Sequence, residues 1–351
     1  MCEIKQISEF RLAGSAVSCE PYGNGHINDT YLVRDKMGNQ YILQRINRHV
    51  FKDCLGLMTN ILLITEHMRR LKRKDSKQEV LTLVPCNNGD FWHVDAQGEF
   101  WRVYHYVRDS ICFEQADSLP VFRESGLAFG TFINQLADFD TAKLAVTIPG
   151  FHDTPLRYAA FHQALSEDTL GRAKQVQGEI DFALAREEFA STLVELEKRG
   201  DMPTRVTHND AKLNNVLFRK DTHTHLCVID LDTTMPGLAV TDFGDSIRFG
   251  ATTGAEDERD LSKVDFSIAH YRAYKDGFLE ACGALNPCEI EHLPHGAKMM
   301  TLECGLRFLT DYLNGDTYFK ISREGHNLDR CRTQFKLVGD MEKQWEAMRR
   351  S

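Results

Sequence analysis

Up to about residue 108 the apolar positions come in short runs separated by turn residues, which is the pattern of strands. Segments 17–22, 30–34 and 41–46 read this way, bounded by Gly, Asn and Asp. The exception is a stretch where Leu55, Met58, Ile61, Leu62, Ile64, Met68 and Leu71 recur at helical spacing, which predicts an amphipathic helix over 55–71. Segments 80–84, 91–94 and 100–107 return to strand.

From Phe113 the period lengthens, and helices are predicted over 118–138, 156–166, 181–199, 258–284, 296–314 and 332–349. A two-stranded unit around 215–230 interrupts them. Phe151 to Pro155 reads as a helix start, with Thr154 as cap and Pro155 in the first helical position. The change of character predicts an α+β, bilobal chain. Residues 1–108 are expected to form a small antiparallel-sheet lobe and residues 109–351 a larger, mainly helical lobe.

Composition narrows the class. A hydrophobic share of 42% with 26% charged residues is ordinary for a soluble enzyme. No apolar run approaches the roughly 18 residues that span a bilayer, and the N-terminus lacks a basic-then-apolar leader. The expectation is a cytoplasmic protein without a membrane partner. A net charge of -9 argues against nucleic acid, and no feature points to an obligate protein partner. The ten cysteines are scattered without a Cys-x-x-Cys pair, so they read as reduced thiols. His223/His225 and His292/His295 lack a third ligand nearby, and a metal role for them is the weaker reading.

The chemistry concentrates in Val206 to Phe218 and Val228 to Asp232. The first stretch has the form His-x-Asp-x-x-x-x-Asn running into an apolar strand; the second is an apolar strand ending in carboxylates. Transfer of the γ-phosphate of ATP calls for these groups in this order. One Asp (Asp210) accepts or orients the substrate hydroxyl, while an Asn and a second Asp (Asn215, Asp230) hold Mg2+ on the triphosphate. An antiparallel hairpin over 216–229 puts Asn215 and Asp230 at the same end. His208 reads as a brace for the loop. Lys212 is either a charge for the γ-phosphate or a surface lysine, and Asp232 either a second metal ligand or a turn carboxylate. Asp242 either caps a helix or ties down the catalytic loop.

At these residues the chain resembles the aminoglycoside phosphotransferase and choline kinase superfamily, whose fold is protein-kinase-like: His208 to Asn215, Ile229-Asp230, and Gly237 to Asp242. It is similar within that superfamily to the bacterial N-acetylhexosamine 1-kinases. The similar stretches are Glu20 to Asn28, Tyr41 to Gln44, Trp101 to Tyr104, Phe151 to Pro155, the catalytic block up to Ala251, and Glu303 to Leu309. The resemblance implies ATP- and Mg2+-dependent phosphorylation of the anomeric hydroxyl of N-acetylglucosamine or N-acetylgalactosamine. Another small hydroxyl compound (choline, homoserine or an aminoglycoside) is the alternative, and a kinase-like binding protein without catalysis is a third reading.

The resemblance also assigns further residues. Gly23, Gly25, His26 and Asn28 fall where a loop covers the phosphates, an ordinary hairpin turn being the alternative, and Tyr104 and Tyr106 where adenine is held. The third strand lacks the expected Lys. Gln44 and Arg45 lie on opposite faces, and the alternation does not choose between them as its replacement. Glu66 is either a partner for Arg45 or a solvated acid. Arg307 pairs either with Asp311, four residues on, or with a sugar oxygen. Phe249 and Tyr318 are either a wall against the sugar ring or core residues.

Overall fold

The computed structural model describes residues 4–23, 27–72 and 78–351. The chain forms two compact units, one of Met1–Ile111, Asp138–Pro149 and Leu217–Met235, the other of Cys112–Ala137, Gly150–Val216 and Pro236–Ser351.

The first unit is built on an antiparallel sheet of β1 (Ala16–Pro21), β2 (Asp29–Asp35), β3 (Gln40–Arg45), β4 (His93–Val94) and β5 (Phe100–His105), in the order β1-β2-β3-β5-β4. Register puts Gln44 opposite Thr30 on one side and Arg102 on the other, so these three share a face. Arg45, Asp29 and Trp101 share the opposite one. Val33, Tyr41, Leu43, Trp101 and Val103 close a core with Ile7 and Phe10. Segment 80–84 is not a regular strand: only Leu83 bridges to Tyr104, and Pro85, which has no amide donor, ends the pairing.

Helix Cys54–Leu71 is capped by Asp53, whose carboxylate accepts from the Gly56 amide at 2.8 Å. Its buried Asn60 donates to the carbonyl of Thr234 at 3.1 Å, which anchors the turn that follows Asp230. Among the described residues, eight cysteines are free thiols. Cys19 is disulfide-bonded, so the expectation of uniformly reduced thiols fails there.

In the second unit, helix Leu293–Leu313 is buried along most of its length. Leu302, Leu306 and Leu309 pack with Tyr158, Phe161 and Phe335. Burial of each such side chain contributes roughly 1.5–3 kcal/mol. Helix Ala239–Gly250 crosses it where a Cβ on Gly244 would strike the carbonyl of Gly296. That contact sets Asp242, Asp245 and Arg248 on a fixed platform.

Several predicted helices shift. Residues 181–199 divide into Gln177–Leu184, a 3-10 turn and Thr192–Lys198. The helix expected from 258 begins at Ile268, because Asp260 and Ser267 cap locally and break the run. The one expected from 332 begins at His326. At 151–155 the cap is Asp153, accepting from Leu156 at 3.1 Å, and Thr154 is the first helical residue. The Thr154 hydroxyl instead donates to Glu303 at 2.7 Å.

Candidate active site

In the second unit, strand Arg205–Thr207 runs into the loop of His208 to Lys212. Asn209 is left-handed at φ 63, a conformation Asn tolerates better than most residues. Asp242 holds it there: its two carboxylate oxygens accept from the His208 and Asn209 amides, each at 2.7 Å. Asp242 lies inside its helix, so it ties down the loop and caps nothing. Burial pushes its carboxyl up to about 6, although the two amide donors pull the other way. The Ser246 hydroxyl donates to the Ala211 carbonyl, a second tie from the same helix. Gly237 is required nearby, since a Cβ there would meet the side chains of Thr207 and Asn209. His208 is buried edge-to-face against Phe129 and Phe132, as suits a brace.

Asp210 follows with its carboxylate partly exposed. One oxygen faces Lys212 Nζ at 3.0 Å, and the other accepts from Asn215 Nδ2 at 3.1 Å. Burial alone would raise the Asp210 carboxyl, but Lys212 and neighbouring positive charge outweigh it and hold it below the usual range. Asn215 Nδ2 also donates to the Asp210 carbonyl at 2.8 Å. Both acceptors demand an N–H, so the amide is oriented with Oδ1 turned away from Asp210.

Behind the loop, His152 Nε2 lies 3.1 Å from the Asn209 carbonyl and Nδ1 3.0 Å from Glu303. One turn along that helix stands Arg307, framed by the rings of Phe151, Tyr318 and Phe319 at 5.4–5.9 Å. No group of the described residues hydrogen-bonds or ion-pairs with its guanidinium. The spacing to Asp311 suggested a pair, but Asp311 is taken. It accepts from the amides of Thr317, Tyr318 and Phe319 and from Asn327 at 2.8–3.0 Å. Asp311 thereby folds the loop that presents Tyr318, which is 69% exposed. Phe249 is half-buried near the end of helix Ala239–Gly250.

The first unit has its own polar cluster. Arg102, 1% exposed, meets Asp232 at 2.6 Å and donates to Gln44 Oε1 at 2.8 and 3.0 Å. The other oxygen of Asp232 accepts from Asn28 at 2.6 Å. Arg45 points the other way and pairs with Asp29 in solvent, while Glu66 pairs with Arg70 at 2.7 Å. The buried cation on the Gln44 face is therefore Arg102, from the neighbouring strand. Sequence reasoning missed it, although a lone Arg inside the apolar run Phe100 to Tyr104 was the available signal.

Asp230 is exposed and left-handed at φ 59. Tyr104 is buried under the Arg102 guanidinium, 5.1 Å from its ring. The Tyr106 hydroxyl meets that of Tyr22 at 3.3 Å. Gly23, two residues past β1, is left-handed at φ 79. Gly25 and His26 lie outside the described residues.

Known proteins share this fold. Solved structures similar over nearly the whole chain include a microcompartment-associated aminopropanol kinase, 16% identical, TM-score 0.61, covering 99% of this chain and 97% of that one. An amicoumacin kinase, solved in complex with AMP-PNP and Ca2+, is 12% identical, with TM-score 0.63 and coverages of 95% and 92%. The Plasmodium vivax ethanolamine kinase is 14% identical, with TM-score 0.58 and coverages of 90% and 82%. At these identities the likeness establishes the kinase-like α+β fold. The model of the phosphotransferase enzyme family matches residues 18–276, which include most of β1, all of β2–β5, the Asp210 loop and the helix that clamps it. This chain therefore belongs to the phosphotransferase enzyme family.

Proposed function

We propose that this protein transfers the γ-phosphate of ATP to the anomeric hydroxyl of an N-acetylhexosamine, N-acetylglucosamine or N-acetylgalactosamine, giving the sugar 1-phosphate and ADP. The observation that carries the reading is the geometry around Asp210, an ionised carboxylate fixed by Asn215 and Lys212 on a loop clamped from behind. In this role Asp210 orients the hydroxyl and takes its proton as the O–P bond forms. Lys212 places positive charge beside the incoming phosphoryl group.

Mg2+ suits the donors proposed for it. Asn215 offers the Oδ1 left over by its two N–H bonds, and Asp230 an exposed carboxylate; both are hard oxygen ligands. When bound, the ion neutralises triphosphate charge. Asp232 already spends both oxygens on Arg102 and Asn28, which favours an anchoring role over direct ligation.

The sugar reading draws on Arg307, whose free donors suit hydroxyl or acetamide oxygens, and on the exposed Tyr318 ring beside it. A cation at that position opposes ammonium substrates such as choline. The Asp210→Asn variant should keep ATP binding and lose nearly all transfer. Comparing ADP release with N-acetylglucosamine, choline and kanamycin separates the substrate classes, and proton-coupled phosphorus NMR of the product locates the phosphate. Undiminished turnover by Asp210→Asn removes Asp210 from its role, and turnover confined to choline or kanamycin removes the sugar.

A further inference from the structure

We propose that His152 is a permanently charged positioning residue, an imidazolium that locks the Asn209 carbonyl and so aims the Asp210 carboxylate from the helix that carries Arg307. The proposal rests on the reading of Asp210 as the group that meets the substrate hydroxyl.

Both ring nitrogens of His152 face acceptors. Nε2 lies 3.1 Å from a backbone carbonyl, which can only accept, and so carries a proton. Nδ1 lies 3.0 Å from Glu303 Oε1, while Glu303 Oε2 accepts from the Thr154 hydroxyl at 2.7 Å. A neutral ring has one N–H and would need Glu303 to carry the second proton. The surrounding charges oppose that. Arg307, on the same helix as Glu303, and Arg157, on the helix that begins after His152, favour the carboxylate. Asp242 and Asp245, from helix Ala239–Gly250, favour the cationic ring. Burial alone would lower His152 and raise Glu303, yet the pair shifts each in the opposite direction, His152 up and Glu303 down. Glu303 is 1% exposed, so water does not dilute this pairing.

The consequence falls on one residue. Asp242 holds the amide of Asn209 and His152 its carbonyl. Both peptide groups flanking the left-handed Asn209 are thus pinned, and Asp210 is the next residue along. A neutral ring would turn a lone pair toward the Glu303 carboxylate, swing away, and release the carbonyl. Displacement of a catalytic group by about 1 Å can cost on the order of a hundredfold in rate.

Two measurements on the intact chain test this. Nitrogen NMR of 15N-histidine-labelled protein, with the His152 signal assigned by its loss in His152→Asn, should show an imidazolium at pH 7.5. A neutral ring there overturns the proposal whatever the substrate proves to be. In the second, kcat is followed against pH with N-acetylglucosamine and ATP. Wild type should hold its kcat through neutral pH. In Glu303→Met, where the ring loses its counter-charge and gains no donor, burial favours the neutral ring, and kcat should fall roughly ten- to a hundredfold across a pH range in which wild type is flat, with KM for ATP unchanged. Superimposable profiles would overturn the positioning role. If wild type turns over no sugar at all, the substrate reading fails while the NMR result still decides the charge on His152.

Discussion

Replacing Arg102 with Met isolates the energetic role of the buried pair in the first unit. Arg102 and Asp232 are 1% and 3% exposed and meet at 2.6 Å. Met keeps most of the aliphatic stem, so little cavity forms, but the Asp232 carboxylate is left buried with only the Asn28 amide at 2.6 Å as donor. Removing one partner of a buried ion pair costs ~3–5 kcal/mol, because the other charge stays desolvated. The loss of two hydrogen bonds to Gln44 adds less, since Gln44 is only half-buried and water can replace them. For a unit of this size the expected fall in melting temperature is roughly 10 °C.

Guanidinium unfolding followed by tryptophan fluorescence is a suitable assay. Trp101, next to Arg102, is 8% exposed and bonded to Asp95 at 2.8 Å, so it reports on this part of the sheet. The double variant Arg102→Met/Asp232→Leu removes both charges and should recover half or more of the loss. A single variant less than about 1 kcal/mol below wild type would refute the reasoning, because the desolvation cost would then be absent. So would a double variant no more stable than the single, since the penalty would not lie in the orphaned charge.

Two further substitutions probe the second unit. Lys212→Met removes the charge that helps hold the Asp210 carboxyl below its usual range. The acid form of Asp210 then persists to higher pH, so the acid limb of the kcat–pH profile should move upward; a limb that stays in place shows that Lys212 does not set it. Arg307→Met breaks no ion pair, so the melting temperature should stay within a few degrees of wild type. KM for the sugar should rise about tenfold or more from a lost charged hydrogen bond, with KM for ATP unaltered. A melting loss as large as that of Arg102→Met would contradict the absence of a partner.

The legible parts of this fold are those written in local periodicity. The strands near 17–22, 30–34 and 41–46, the helix Cys54–Leu71, and the step from sheet to helix near residue 108 follow from alternation, spacing and turn residues. Helix Ala239–Gly250 was harder to read in full, because Thr241, Asp242, Asp245, Ser246 and Arg248 are buried along with its apolar side chains. A hydrophobic pattern cannot reveal a helix whose inward face is polar.

The sequence by itself determined the strands near 17–22, 30–34 and 41–46, the helix Cys54–Leu71 and the order of the chemical groups, from His208 through Asp210 and Asn215 to Asp230. Tertiary structure alone decided which charges meet. Arg102 finds Asp232 across 130 positions, Asp242 turns to the His208 and Asn209 amides rather than to its own helix end, and Asp311 leaves Arg307 for the amides of the 317–319 loop. Periodicity is imposed by the backbone over a few residues. The choice of partner for a charge depends on burial, and burial is set by segments far apart in the chain.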